Sequence, residues 1–288
     1  MNNKVLHILL GLLLLSCNKP SEDVVTPVPP PVEDKRIEVQ IPNGVGDMDF
    51  TFSESSRLVI NGERPKKVEA DGGNAQFTFS DKVKAPYSAI YPMGVYSSMD
   101  NITIPARQKY YAGRVDDNSA VMLAYSASEG KLALQHAMSY LKLTISPGSL
   151  SSDNLYEITV SGANGEQLSG DFKPDYKNAT LSATGKATSI VVRDAAGGIP
   201  MGAPVYIAIP ARRSIKLNFD VADVNGVKRS FKYDKALNLT AGSISEVTLV
   251  FEKEEGSSTI NLTPFTMLNA SDTPVGDHAS KESRSYLV

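Results

Sequence analysis

The 288-residue sequence predicts an all-β protein: two antiparallel, Greek-key-like β-sandwich domains in tandem, behind a signal peptide and a proline-rich tether. Three observations lead there. Apolar residues alternate on a period of two along most of the chain, as in Phe77-Thr78-Phe79, Ile102-Thr103-Ile104, Leu141-Lys142-Leu143-Thr144-Ile145 and Ile215-Lys216-Leu217-Asn218-Phe219-Asp220-Val221. That spacing puts one face of each strand in a core and the other in water. Asn-Gly pairs stand at 43–44, 61–62, 164–165 and 225–226, each between candidate strands. Asn-Gly suits a type I′ turn, whose two central residues both need φ > 0. Long stretches with helical spacing are missing, and Leu132 and Leu134 in the segment 131–140 also fit a strand.

The elements follow in order. Residues 1–16 read as a signal peptide, with Lys4 as the positive start and VLHILLGLLLL (5–15) as the apolar run. That run is shorter than the roughly 20 apolar residues a spanning helix needs. Leu14-Leu15-Ser16-Cys17 resembles the lipobox of bacterial lipoproteins, which implies that Cys17 becomes the mature N-terminus and carries lipid. Cys17 is the only cysteine, so a disulfide framework within one chain is excluded. Buried acyl chains contribute about 0.8 kcal/mol per CH₂, so two or three of them anchor a protein firmly. The short acidic stretch at Glu22-Asp23 is similar to surface-export signals of Bacteroidota lipoproteins, and four prolines in VVTPVPPPV (24–32) give a semi-rigid tether over 17–34.

The body divides into an N-terminal domain at 35–147 and a C-terminal domain at 148–252, with the Ser, Gly and Pro of SPGSLSSDN (146–154) at the boundary. The best hairpin is 215–224 into 227–233 around Asn225-Gly226. The tail 253–288 starts polar and then carries an apolar segment, Ile260, Leu262, Phe265, Met267 and Leu268, interrupted by Pro264. An apolar segment beyond a completed domain has no core of its own, and it is the candidate donor strand.

Composition and motifs exclude much chemistry. Without the signal peptide, 28 basic side chains face 32 acidic ones, a net charge of −4, which leaves no electrostatic footprint for nucleic acid. His136 and His278 are the two histidines outside the signal peptide, and neither has zinc spacing. His136 lies in the apolar run LALQHAMSYL and reads as a packed, partly buried histidine. A P-loop, G-x-S-x-G and a dinucleotide fingerprint are absent, so no cofactor, no metal and no enzymatic activity are expected. Asp116-Asp117-Asn118 reads as a solvated turn, since no Gly or Glu follows at calcium-loop spacing.

The runs FSDKVKAPYSAIYP (79–92), ITIPARQKY (102–110), AVMLAYS (120–126) and LALQHAMSYLKLTI (132–145) resemble, in that order, the N-terminal domain of the fimbrillin-like lipoproteins, the type V pilins of Bacteroidales. VYIAIPA (205–211), the Asn225-Gly226 hairpin and LNLTAGSISEVTL (237–249) are similar to that family's C-terminal domain. The resemblance covers about 35–251 and rests on ordered weak motifs. It implies a structural or adhesive subunit of a surface fimbria, anchored in the outer membrane by lipid, whose partners are other fimbrial subunits and a host or glycan ligand. It also implies assembly by strand exchange: a protease cuts after an Arg, the first strand leaves, and a neighbour's strand takes its place. The leaving strand would hold Ile37-Glu38-Val39-Gln40-Ile41, and the candidate cleavage positions are Arg57, Arg64 and Arg36. Pro65 after Arg64 disfavours trypsin-like cutting, Arg57 begins a strand-like run, and a cut at Arg36 would release only the tether. The closing stretch HASKESRSYLV (278–288) is similar to the opening of a further domain in some relatives.

The alternative reading is a surface glycan-binding lipoprotein of a nutrient-uptake system. The absence of Trp weighs against it, while the 12 Tyr could serve as platforms in its place.

Overall fold

Alternation of apolar residues produces a chain of short strands. The computed structural model describes residues 33–250 apart from 43, 147–149, 151 and 195–197. In order, the strands are β1 (Lys35–Gln40), β2 (Val59–Ile60), β3 (Lys67–Asp71), β4 (Asn74–Phe79), β5 (Tyr87–Tyr91), β6 (Tyr96–Ser98) and β7 (Asn101–Ile104). Then come β8 (Arg107–Lys109), β9 (Met122–Ser126), β10 (Leu132–Ala133), β11 (Gln135–His136) and β12 (Met138–Ile145). The second half holds β13 (Asn154–Gly162), β14 (Gly170–Asp175), β15 (Thr180–Ala183), β16 (Ser189–Arg193), β17 (Ile199–Pro200), β18 (Val205–Pro210), β19 (Arg212–Asp223), β20 (Lys228–Leu239) and β21 (Ile244–Leu249). Two single 3₁₀ turns, Met93–Val95 and Asp117–Ser119, are the helical elements among the described residues. The protein is all-β, as its periodicity predicts.

Five sheets enclose three cores. The sheets β10-β1-β4-β3 and β11-β9-β5-β2 pack across an N-terminal core that includes Ile37, Val39, Phe77 and Phe79 from one side and Leu58, Tyr87, Met122 and Ala124 from the other. The sheets β18-β12-β21 and β20-β19-β13-β16-β8 enclose a C-terminal core of Leu141, Leu143, Ile207, Ile158, Val160, Leu217 and Phe219 among others. A middle core, covered by β15-β14-β7-β6, takes Ile102, Ile104 and Phe172 together with Ile90, Leu123, Tyr140, Tyr206 and Ala208.

The middle core explains why several strands are apolar on both faces. In β12, Leu141, Leu143 and Ile145 point into the C-terminal core, whereas Met138 and Tyr140 point into the middle one. In β18, Val205, Ile207 and Ile209 take the first role and Tyr206 and Ala208 the second, and with Pro210 also buried the whole strand is hidden from solvent. Strands from both sides of the segment 146–153 thus share sheets: β7 pairs with β14, β8 runs parallel to β16, and β12 lies between β18 and β21.

The turn chemistry holds in one place and changes in another. Asn61 and Gly62 have φ of 51° and 83°, and Ile60 and Glu63 exchange backbone hydrogen bonds across them, as a type I′ turn requires. The hairpin β19–β20 also forms, but Asn225 is not at positive φ and Gly226 alone is, at 86°. The reason is Asp223: its Oδ1 accepts the Asn225 and Val227 amides, an Asx arrangement that places the left-handed residue second. Asn164-Gly165 does not join its flanking strands, because β13 pairs with β16, β17 and β19 while β14 pairs with β7 and β15.

Candidate functional site

Strand β1 is internal to its sheet. It pairs antiparallel with β4 at six positions, from Lys35–Phe79 to Gln40–Asn74, and parallel with β10 at Val39–Leu132 and Gln40–Ala133. Ile37 and Val39 point inward with 2% and 0% exposure, while Arg36, Glu38 and Gln40 point outward. Ile41, just past the strand, is also buried and donates its amide to Gly73 O at 2.9 Å. Each of these three aliphatic side chains contributes on the order of 1.5–3 kcal/mol by leaving water. Without β1, the facing edges of β10 and β4 would carry unpaired backbone groups beside exposed apolar side chains.

The rim of this groove is charged. Lys35 Nζ meets Glu129 Oε2 at 2.6 Å, and Lys131 Nζ meets Glu38 Oε1 at 2.9 Å. The hydrogen bond from Lys35 holds the Glu129 carboxyl below its usual range, and the same bond raises Lys35. Both groups face solvent, where salt screens them, so these pairs set register more than stability.

After β1 the chain crosses the molecule. Val45 and Met48 enter the middle core, and Phe52 enters the N-terminal core edge-on to Phe77 and Tyr91, with centroids 5.5 and 5.6 Å away. Phe50 lies between the two cores. Asp47 accepts hydrogen bonds from Tyr206 Oη and Lys142 Nζ, and the Tyr206 bond is the main cause holding its carboxyl below the ordinary range. This crossing segment escaped sequence reading, because its apolar residues follow no steady period; only the Phe50–Phe52 spacing hints at it.

The candidate arginines fall at different places. Arg36 is inside β1, opposite Thr78. Arg57 is exposed and precedes β2; its guanidinium donates to the Glu54 and Ser56 carbonyls, and its own carbonyl accepts from the Met93 amide at 2.8 Å. Leu58, directly after it, is fully buried. Arg64 is exposed in the connection between β2 and β3, with half-buried Pro65 behind it. Cys17, the candidate donor residues Ile260, Leu262, Phe265, Met267 and Leu268, and His278 lie outside the described residues.

His136 sits under Phe50. It is 9% exposed, its Nδ1 is hydrogen-bonded to Tyr140 Oη at 2.7 Å, and its Nε2 has no partner among the described residues. Burial pushes its pKa from 6.5 down to about 4. It is a core residue with one orphaned nitrogen. Asp116 proves to be buried rather than solvated: Oδ1 accepts the Asn118 amide and Oδ2 the Lys109 amide, which consumes the carboxylate. Asp117 pairs with Arg114. Among the described residues no group of three His, Cys, Asp or Glu side chains could hold a metal ion.

No family model matches the chain, and no curated protein is significantly similar to it. Solved structures are. The chain is similar to a candidate cell adhesion protein from Bacteroides uniformis, at 15% identity and a TM-score of 0.49 over 78% of this chain and 94% of that one. It is also similar to a candidate cell adhesion protein from Bacteroides ovatus, at 12% identity and a TM-score of 0.47 over 76% and 93%. A fimbrial assembly protein from Parabacteroides distasonis matches at 11% identity and a TM-score of 0.37 over 75% and 91%.

Proposed function

We propose that the chain is a structural or adhesive subunit of a cell-surface fimbria, anchored in the outer membrane through lipid on Cys17 and assembled by strand exchange with other fimbrial subunits. The observation that carries this is the position of β1. It precedes Arg57 and Arg64, it is the second strand of a four-stranded sheet, and it separates β10 from β4–β3. Its departure leaves a groove with an edge on each side and an apolar floor in the N-terminal core that Ile37 and Val39 now cover. An extended segment with apolar residues at alternate positions satisfies both edges and the floor at once. Insertion of one copy's segment into the next is head-to-tail and does not close, so it builds a filament.

In this reading the lipid on Cys17 anchors the uncut chain, and a cut after Arg57 releases the lipidated N-terminus, β1 and the crossing segment together, so Val45, Met48, Phe50 and Phe52 leave as well. The Ile260–Leu268 segment is the proposed donor.

The test is limited digestion of the folded full chain with an arginine-specific protease. Fragments are identified by mass, and the digest is run on a detergent gel without heating. A selective cut at Arg57 or Arg64 followed by detergent-resistant ladders is the expected result. A chain that stays monomeric after that cut would remove strand exchange from the account.

A further inference from the structure

A second feature lies away from β1. An open cleft of about 550 Å³ forms where the sheet carrying β5 and β9 meets the sheet carrying β14 and β15. Ser88 and Tyr125, cross-strand partners on β5 and β9, form one wall. Lys173 and Ser182, partners on β14 and β15, form the other with Tyr176 and Lys177.

Tyr125 is 37% exposed, one of four large apolar or aromatic side chains so exposed among the described residues. Lys177 Nζ lies 5.0 Å from its ring centroid. Tyr156, the other exposed tyrosine of the four, also carries a cation, Arg193 at 4.8 Å, but that guanidinium is ion-paired with Glu157. In the cleft the cations are unpaired: the ion pairs among the described residues include neither Lys173 nor Lys177. The neighbouring Asp175 keeps its negative charge: hydrogen bonds from Asn178, with help from the charge of Lys177, hold its carboxyl below the ordinary range. It makes no ion pair with either lysine, and two lysines against one carboxylate leave the lining net positive. The Asp175 carboxylate caps its own turn, accepting from the Lys177 and Asn178 amides at 3.1 and 3.2 Å and from Asn178 Nδ2 at 2.8 Å.

We propose that this cleft binds a saccharide that carries a carboxylate, such as a uronic or sialic acid residue at the end of a glycan. The apolar C–H face of a sugar ring packs on the exposed Tyr125 ring. Its carboxylate takes the Lys177 and Lys173 ammonium groups, and the Lys177 ammonium resting on the Tyr125 ring gains a charge-assisted hydrogen bond. The hydroxyls of Ser88, Ser182 and Tyr125 supply donors and acceptors for the sugar's own hydroxyls. The volume falls in the range of small-ligand sites. The proposal is independent of the assembly reading, since β1 and its groove belong to a different sheet.

The test is calorimetric titration of the full chain, purified in a non-glycosidic detergent, with sialyllactose against lactose and with digalacturonic acid against galactobiose. At least one acidic probe is expected to bind, with its neutral counterpart weaker by at least about tenfold. Tyr125→Ala, and Lys173→Ala combined with Lys177→Ala, should each weaken binding by a similar factor while the thermal midpoint stays put. Lysine-to-arginine exchange at both positions should retain binding. No heat from either acidic probe at millimolar concentration, equal binding of the neutral probes, or full binding by the alanine variants would overturn the proposal. Failure of the digestion test above would leave these outcomes unaffected.

Discussion

His136 shows what one buried residue does to the behaviour of the whole chain. Its ring is packed against Phe50 at 5.0 Å and Tyr140 at 5.4 Å, and Tyr140 holds its Nδ1. No carboxylate is among the causes that set its pKa; burial alone lowers it to about 4. The folded state therefore binds fewer protons than the unfolded one between about 6.5 and 4. Stability from this group is fully present above pH 6.5, falls as pH drops through that window, and levels off below about 4, with a total loss of up to about 3 kcal/mol. Urea midpoints measured across that window should show the decline, and His136→Gln should flatten it. Losses from Glu129, Glu69 and Asp47, whose carboxyls are held below their usual range, appear at lower pH and should survive the substitution. The residue's burial could be read from its apolar neighbours in sequence. Its partner Phe50 could not, because 86 positions of chain separate them and periodicity says nothing about which segments meet.

At the scale of elements, the β2–β3 turn ties local chemistry to the sheets around it. Asn61 Nδ2 donates to the Lys84 and Pro86 carbonyls, and Asn61 Oδ1 accepts the Ser88 amide, so the turn is stitched to the chain entering β5. Gly62 sits at φ 83°, where an L side chain is strained. Gly62→Ala should cost about 1–2 kcal/mol from its left-handed backbone, whereas Asn61→Ala should cost more, about 2–3 kcal/mol, because three hydrogen bonds go with the side chain. Denaturant midpoints of the two variants check the order. Such a turn is legible in sequence, as are strands like β19, whose Ile215, Leu217, Phe219 and Val221 all reach the core. Partner choice is not legible. The parallel pairs β1–β10, β12–β21 and β8–β16 join strands far apart in the chain. The alternation that marks a strand is the same whichever neighbour it takes and whichever direction that neighbour runs. The same limit applies to the site: Ile37, Val39 and Ile41 announce a strand, but its internal place in the sheet follows only from β10.

For the whole molecule, the central question is whether β1 must leave for subunits to join. The strand is held by six positions of pairing with β4, by buried Ile37 and Val39, and by a crossing segment that reaches the middle core through Val45 and Met48. Those contacts keep an intact chain closed on itself, and cutting behind them turns the strand into a separate peptide that a longer or better-matched segment can displace. A lock on β1 therefore discriminates directly. Glu38 and Gln76 are direct cross-strand partners whose side chains lie off the core face, and antiparallel partners sit within disulfide reach at about 4.5–5.5 Å between Cα atoms. In a chain with Cys17→Ser, the pair Glu38→Cys and Gln76→Cys places the only two cysteines across β1 and β4. After cleavage by the arginine-specific protease, the oxidised protein should remain monomeric on an unheated detergent gel, and adding reductant should release ladders. Ladders of equal yield in the oxidised, cleaved protein would contradict the claim that β1 vacates the groove through which subunits join.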